Sequence, residues 1–276
     1  MNVRKILSAR GARPQVEAMM DSLVHAAVFI GGADGRFGED ELNVFIDSMR
    51  EVVSSAVGDQ ALEDLASTAR LMDSARKARS SLQKEGEQAF LSGLATRFPA
   101  NFSRDGLVLA YRIVMADGKV TDKEALAFEA LSSALGLELA ETQVLKDLAA
   151  HSEKASKAGY RGTSIEQVRE LESRGWTAVT KDESFDAGVS FTQGDGGKLV
   201  LELDSGESVL HVNVSSADGK GPHLVCFFGE RLPALLAVLD GIKTELKPST
   251  LGQKLPAVRA VCSELFVEHD GRFAKL

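Results

Sequence analysis

The sequence predicts two domains of different class, an all-helical domain followed by an α+β domain. Up to residue 157, apolar residues recur at steps of three and four, the period of an amphipathic helix. From Trp176 onward the period changes to two, which is typical of strands. The helical part also contains the same short acidic turn twice. These three observations set the domain order and indicate an internal repeat in the first domain.

The helical domain is predicted to hold about seven helices and no strand. In the first helix, Met19, Leu23, Ala27 and Ile30 fall on one face, and Gly31-Gly32 then ends it. Further helices are expected from near Glu39, over residues 60–84, after Gly86, from Ser103, after the second acidic turn, and from near Glu138. The helix after the second turn carries Leu126, Phe128, Leu131 and Leu135 and is ended by Gly136.

The composition changes over residues 157–162, and this segment is predicted to be the linker. The predicted organisation is a flexible arm over 1–14, a helical domain over 15–157 and an α+β domain over 163–276. Five strands in an antiparallel meander are expected at 176–180, 187–193, 198–204, 207–214 and 223–228. Helices expected at 164–173, 233–246 and 255–266 would cover this sheet.

Composition and charge exclude several classes of function. Apolar residues make up 44% and charged residues 26% of the chain, as in ordinary globular proteins. The net charge of −8 is shared by both parts, so neither supplies the basic surface that nucleic-acid binding needs. No apolar run is long enough for a transmembrane helix, and the basic N-terminus lacks the apolar core of a secretory signal. Cys226 and Cys262 are predicted to be buried free thiols, so the protein is expected in the cytoplasm.

The repeated turn is the main clue to a site. The first copy runs from Ala33-Asp34-Gly35 to Glu41, and the second from Ala116-Asp117-Gly118 to Glu124. In both copies an apolar residue follows three positions after the Asp and a Glu follows seven positions after it.

One interpretation of the turns is structural. Glycine ends a helix easily because it adopts a positive φ without a steric penalty. Thr121 and Glu124 have the spacing of a capping box at the start of the next helix. Acidic side chains in that first turn also complement the positive end of the helix dipole.

A second interpretation is a metal site. The spacing from Asp to Glu reproduces the second half of an EF-hand loop. The first half is missing, because Ile113 and Met115, like Ile30 and Gly32, have no side-chain oxygen, so an EF-hand is excluded. If the repeats pack about a pseudo-twofold axis, however, the two turns could pool enough oxygens for Ca²⁺, Mg²⁺ or Mn²⁺. The candidate metal ligands are Asp34, Asp40, Glu41, Asp117, Asp122 and Glu124.

The paired Ala-Asp-Gly turns in an all-helical unit resemble the tellurite-resistance TerB-like family. The resemblance covers roughly residues 15–155 and none of the α+β domain. It implies a bundle of about seven helices with pseudo-twofold symmetry, and an acidic cluster associated with metal. It also implies a role in bacterial stress response or tellurite resistance with membrane-associated partners, and no catalysis. The family's motif Asp and Glu fall on Asp34 and Glu41 and on Asp117 and Glu124; Gly38 stands where the second copy has the capping residue Thr121.

The predicted function is therefore a non-catalytic cytoplasmic stress-response protein. Its acidic turns would bind a divalent cation, and its C-terminal domain would bind a protein partner, with peripheral association to a membrane complex. The alternative is a metal-independent scaffold whose acidic turns only cap helices. A metal-dependent hydrolase is disfavoured, because no nucleophile–base pair is found in the sequence. Outside the turns, His25 is expected at a core or rim position, and His211 and His223 are expected to pair across neighbouring strands.

Overall fold

The structure is a computed structural model that describes residues 13–35, 46, 67–98, 100, 102–115, 120–158, 164–179 and 185–276. The chain divides into two compact units, Met1–Ala150 and His151–Leu276. The first is helical and the second contains a sheet, which confirms the predicted layout of a helical part followed by a sheet part. The division falls inside the last helix of the first part, which continues through the start of the predicted linker.

The described helices of the first unit follow the predicted periodicity closely. They are α1 (Arg13–Gly31), a 3-10 turn (Gly32–Asp34), α2 (Thr68–Glu85), α3 (Glu87–Arg97), α4 (Ser103–Met115), α5 (Asp122–Ala134) and α6 (Leu139–Ala158). The helix predicted to start near Glu39 lies largely outside the described residues, although Ile46 within it is helical and buried.

Helix α1 lies at the centre of this unit because its apolar face is broad. It packs against α2, α4 and α5. The predicted stripe is buried at Met19, Leu23, Ala27 and Ile30, and the intervening Val24 and Val28 are buried too. Removing this much apolar surface from water is the main stabilising contribution in such a unit.

Helix α5 departs from the predicted pattern at one apolar residue. Phe128 and Leu131 are fully buried, but Leu126 is 63% exposed. The buried face of α5 runs through Ala127, Phe128 and Leu131, and Leu126 lies one residue off it, about 100° around the helix. Leu126, which the sequence pattern places on this helix with Phe128 and Leu131, is therefore not part of its buried face.

The second unit is an antiparallel sheet with helices. Its elements are α7 (Ser164–Arg169), a 3-10 segment (Glu170–Arg174), β1 (Thr177–Ala178), β2 (Ala187–Thr192), β3 (Lys198–Asp204), β4 (Val209–Ser215), β5 (His223–Phe227), α8 (Leu232–Ile242), α9 (Leu251–Val261), β6 (Glu264–His269) and β7 (Arg272–Lys275). The strands lie side by side in chain order, each antiparallel to the next.

In the part of the chain that the structure describes, the sheet has seven strands, so the predicted count of five is corrected. The five predicted strands are present, but the predicted helix over 255–266 ends at Val261, and β6 and β7 follow. Asp270 and Gly271 both have positive φ, of 50° and 74°, as a two-residue hairpin turn requires. The Asp-Gly pair between Glu264–His269 and Arg272–Lys275 is therefore a strong hairpin signal that the helical assignment of this segment overlooked.

The two faces of the sheet differ in chemistry. One face carries Val189, Leu201, Val212, Leu224 and Leu265, which join the apolar residues of α7, α8 and α9 in a single core. Side chains alternate along each strand, so the residues between these positions lie on the opposite face. That opposite face holds Glu202, His211, Asn213, His223 and Glu268.

Candidate functional site

The first acidic turn is a helix end of the predicted kind. Helix α1 passes into the 3-10 turn, and Gly35 follows with φ of 81°. The Gly35 N–H donates to the carbonyl of Gly32 over 3.1 Å. A residue with a Cβ would be strained at this φ, which explains why glycine follows Asp34. Asp34 itself is half-buried.

The described part of the second turn is the start of α5, and it forms the predicted capping box. The Thr121 N–H donates to Glu124 Oε2 over 2.7 Å, and the Glu124 N–H donates to Thr121 Oγ1 over 3.3 Å. Glu124 is only 7% exposed. Its carboxylate thus satisfies a backbone donor that would otherwise have no partner within the helix.

The six predicted metal ligands are only partly within the described residues. Asp40, Glu41 and Asp117 lie outside them. Of the other three, Asp122 is exposed in the first turn of α5, Asp34 lies in the 3-10 turn, and Glu124 is the cap. Among the described residues, no group of three His, Cys, Asp or Glu side chains is placed to hold a metal ion.

The two turns are nevertheless connected through packing. The 3-10 turn that carries Asp34 packs against α5, the helix that begins beside the second turn. Helices α1 and α4, which lead into the two turns, also pack against each other. Within the described residues, the first turn therefore lies beside α5, the helix that follows the second turn.

An apolar groove of about 620 Å³ lies at this contact. Its walls come from the end of α1 and the 3-10 turn, from the α2–α3 junction, and from α5. The apolar lining includes Phe29, Ala33, Leu82, Leu126, Ala127 and Ala130. Gln83, Glu87 and Lys123 add polar groups to two of the walls. The exposed Leu126 found above thus belongs to an open groove.

Buried polar residues surround the inner side of α5. The Tyr111 ring packs on the Phe128 ring with centroids 4.5 Å apart. Its pKa is raised mainly by burial and, to a smaller extent, by the negative charge of Glu124. Lys146 of α6 donates to Glu129 over 2.6 Å. Arg112, in the last turn of α4, is 3% exposed. Sequence reasoning missed Arg112; the available signal was a lone cation among the apolar residues before the second turn.

His25 is a rim residue, as expected. Its Nδ1 lies 2.6 Å from the carbonyl oxygen of Asp21, one helical turn earlier, and its ring stacks on Phe90. Burial lowers the pKa of His25. These contacts give the ring a structural role at the edge of α1.

The second unit contains the two histidines and the two cysteines that the sequence singled out. His211 and His223 pair across β4 and β5, with Nδ1 and Nε2 2.9 Å apart. Cys226 and Cys262 are buried free thiols, which confirms the prediction. Their mutual hydrogen bond and their burial raise the pKa of the Cys226 thiol, so it stays protonated and unreactive at neutral pH.

Comparison with known proteins does not identify a family for this chain: no protein-family model matches it, and neither a curated protein nor a solved structure matches it significantly. In the described residues, no helix is both long and apolar enough to cross a membrane.

Proposed function

We propose that the protein is a non-catalytic interaction module that binds an amphipathic helix of a partner protein in the groove beside the first acidic turn. On this proposal the acidic turns serve as helix caps, and they shape the groove without a metal ion. The observation that carries the proposal is the open apolar groove with Leu126, 63% exposed, in its wall.

The groove has the size and chemistry for a helix. Its volume of about 620 Å³ leaves room for a few apolar side chains of one helix face, and its apolar lining is aliphatic except for the ring of Phe29. Amphipathic helices bind such grooves by inserting apolar side chains spaced three or four residues apart. Glu87 of α3 and Lys123 of α5 have opposite charges on different walls, so a helix with one basic and one acidic flank would be held in a single orientation.

The capping box supports the metal-independent form of this function. The Glu124 carboxylate is buried and already accepts a hydrogen bond from the Thr121 N–H. This hydrogen bond and its reciprocal partner hold the carboxylate in place at the start of α5, so its position is explained by the cap without a cation. The turn geometry therefore favours a structural role for this residue.

The paired turns support placing the helical unit with TerB-like bundles of about seven helices and pseudo-twofold symmetry. The corresponding role is in the bacterial cytoplasm, in stress response or tellurite resistance, at the periphery of a membrane complex. The sheet unit would supply a second partner-binding part.

A divalent cation at the turns is the second candidate function. Packing of the 3-10 turn against α5 favours it, because Asp34 is carried by the former and Asp122 and Glu124 by the latter. Such a site would also need further oxygen ligands, from backbone carbonyls, water or other carboxylates, since hard cations take six or more of them.

The groove is tested by site-specific photo-crosslinking. A photoreactive phenylalanine derivative is placed at position 126 and, as a matched control, at position 139, where Leu139 is 72% exposed and outside the groove lining. The expected result in the native host is a partner crosslinked from position 126 and not from 139, through an amphipathic helix.

Binding of that partner is then measured with purified proteins. Leu126→Asp is expected to weaken binding at least about tenfold, because a charge replaces an apolar contact, whereas Leu139→Asp leaves the affinity unchanged. Equal affinities for the wild type and Leu126→Asp would overturn the groove as the binding site.

A further inference from the structure

Three titratable side chains form a hydrogen-bonded row on the sheet face opposite the core. His211 Nδ1 lies 2.9 Å from His223 Nε2, and His223 Nδ1 lies 3.1 Å from Glu268 Oε2. The row crosses β4, β5 and β6, and the two imidazole rings stack with centroids 5.1 Å apart. It therefore links side chains of three neighbouring strands.

The protons of this row can be assigned from its hydrogen bonds. An ionised Glu268 only accepts, so His223 Nδ1 carries a hydrogen, and the neutral ring leaves Nε2 without one. His211 Nδ1 must then be the donor to His223 Nε2. In the neutral state each contact thus has one donor and one acceptor.

One added proton can be accommodated, and a second cannot. The first proton binds His211 Nε2, and the Nδ1–H of that cation still donates to His223 Nε2. A second proton must bind His223 Nε2, so two N–H groups of two cations would face each other across 2.9 Å. Like charges at this separation repel, and the contact must open.

The surroundings make this repulsion hard to relieve in place. His211 is 5% exposed, the side chain of His223 is 14% exposed, and the Phe185 ring packs on His211 with centroids 5.4 Å apart. Burial lowers the pKa of His223, against the opposing effect of Glu268.

Charged groups face the histidine pair from the strands on both sides of β4 and β5. Glu268 lies opposite His223 on β6, and Glu202 lies opposite His211 on β3, where its carboxylate accepts from Asn213 over 3.0 Å. On the same face, Lys275 of β7 lies opposite Phe266, and Glu264, next to His151, lies further along β6. The two carboxylates nearest the pair stabilise the first added proton. A second added proton is still repelled by the imidazolium cation that the first one formed.

We propose that the His211–His223–Glu268 row is a pH-sensitive switch, which joins β4, β5 and β6 at neutral pH and separates the two rings when both are protonated. An unfolded histidine has a pKa near 6.5, so below that pH the unfolded chain binds more protons than the folded pair. The stability of the sheet unit is full above about pH 6.5 and falls as the pH drops below it.

The test measures unfolding of the full chain by urea at several pH values between 8 and 5. Trp176, the only tryptophan, lies in the sheet unit, so its fluorescence separates this unit from any effect of His25 in the helical one. His211→Asn places an amide nitrogen near the position of Nδ1, and it keeps a donor that does not titrate. His269→Asn is the matched control, because His269 is exposed and next to Asp270.

From pH 7 to 5, the unfolding equilibrium constant of the wild type and of His269→Asn is expected to rise at least about tenfold more than that of His211→Asn, since each unit of pKa difference is a tenfold change. The same rise in all three proteins would overturn the proposal. If His211→Asn does not fold, ¹⁵N imidazole spectra of the wild type decide: the two rings must titrate in two separated steps, and two independent titrations near pH 6.5 would overturn it.

Discussion

Glu124 and Glu268 are both carboxylates bound by hydrogen bonds, but they obtain their partners in different ways. Glu124 binds the backbone of Thr121, three positions earlier in the chain. Glu268 binds His223, 45 positions earlier, and the register of β5 and β6 alone brings the two together. The comparison teaches that the Glu124 cap is fixed by neighbouring residues, whereas the Glu268 contact exists only once the sheet is assembled.

The sheet unit should therefore lose the most stability when its assembled core is damaged. Leu201 is fully buried in β3 at the centre of that core. Leu201→Ala is expected to lower the free energy of unfolding by about 2–5 kcal/mol, because it removes buried contacts and leaves a cavity. Urea unfolding followed by Trp176 fluorescence measures the change.

The control for this substitution is Leu139→Ala in the helical unit, where the leucine is 72% exposed. Its effect, followed by far-ultraviolet circular dichroism because Trp176 lies in the sheet unit, should stay within about 0.5 kcal/mol. A loss below about 1 kcal/mol for Leu201→Ala would contradict a close-packed core under the sheet.

A smaller loss is expected from a single long-range polar contact. Gln193, after β2, is 6% exposed, and its Nε2 donates to the carbonyls of Lys243 and Leu246 over 3.0 and 2.7 Å. Gln193→Leu removes this donor and leaves the two carbonyls after α8 without it. The free energy of unfolding, measured with urea, is expected to fall by about 1–3 kcal/mol. Gln253→Leu, at an exposed position of α9, should change the stability little, and equal losses for the two variants would break the comparison.

The local cap should matter least, and its chemistry can be separated from metal binding. Thr121→Ala is expected to cost about 1 kcal/mol, because one partner of the capping box is lost. Glu124→Gln should cost less, since glutamine serves equally in this position of the box. Thermal unfolding followed by far-ultraviolet circular dichroism measures both.

The matched control is Thr96→Ala within α3, where the hydroxyl only donates to the carbonyl of Ser92 in its own helix. This change should be neutral or slightly stabilising, because alanine favours the helix. If Glu124→Gln costs more than Thr121→Ala, the carboxylate charge has a role beyond the cap.

The contrast between local and long-range contacts explains which features could be predicted from the sequence. The capping box, the glycine at positive φ after Asp34 and the five meander strands follow from neighbouring residues, and the structure has them. The exposed Leu126 and its groove do not follow, because the burial of a helix face depends on which helices pack there. The pairing of His211 with His223 is predictable because they lie on two adjacent predicted strands. The contact of Glu268 with His223 is not predictable in the same way, because the helix predicted over 255–266 overlaps the start of β6 and hides that strand.

The central claim is that the acidic turns are caps, and unfolding temperature measured with EDTA and with millimolar Ca²⁺, Mg²⁺ or Mn²⁺ tests it most directly. The proteins compared are the wild type, Glu124→Gln, and the double variant Asp34→Asn/Asp117→Asn. A cation that binds only the folded state adds about 2.7 kcal/mol at 100 times its Kd, so a shift would be easy to see. The account predicts that each protein unfolds at the same temperature with every cation as with EDTA. A rise specific to one cation in the wild type, lost in Glu124→Gln and in the double variant, would contradict it and establish the turns as a metal site.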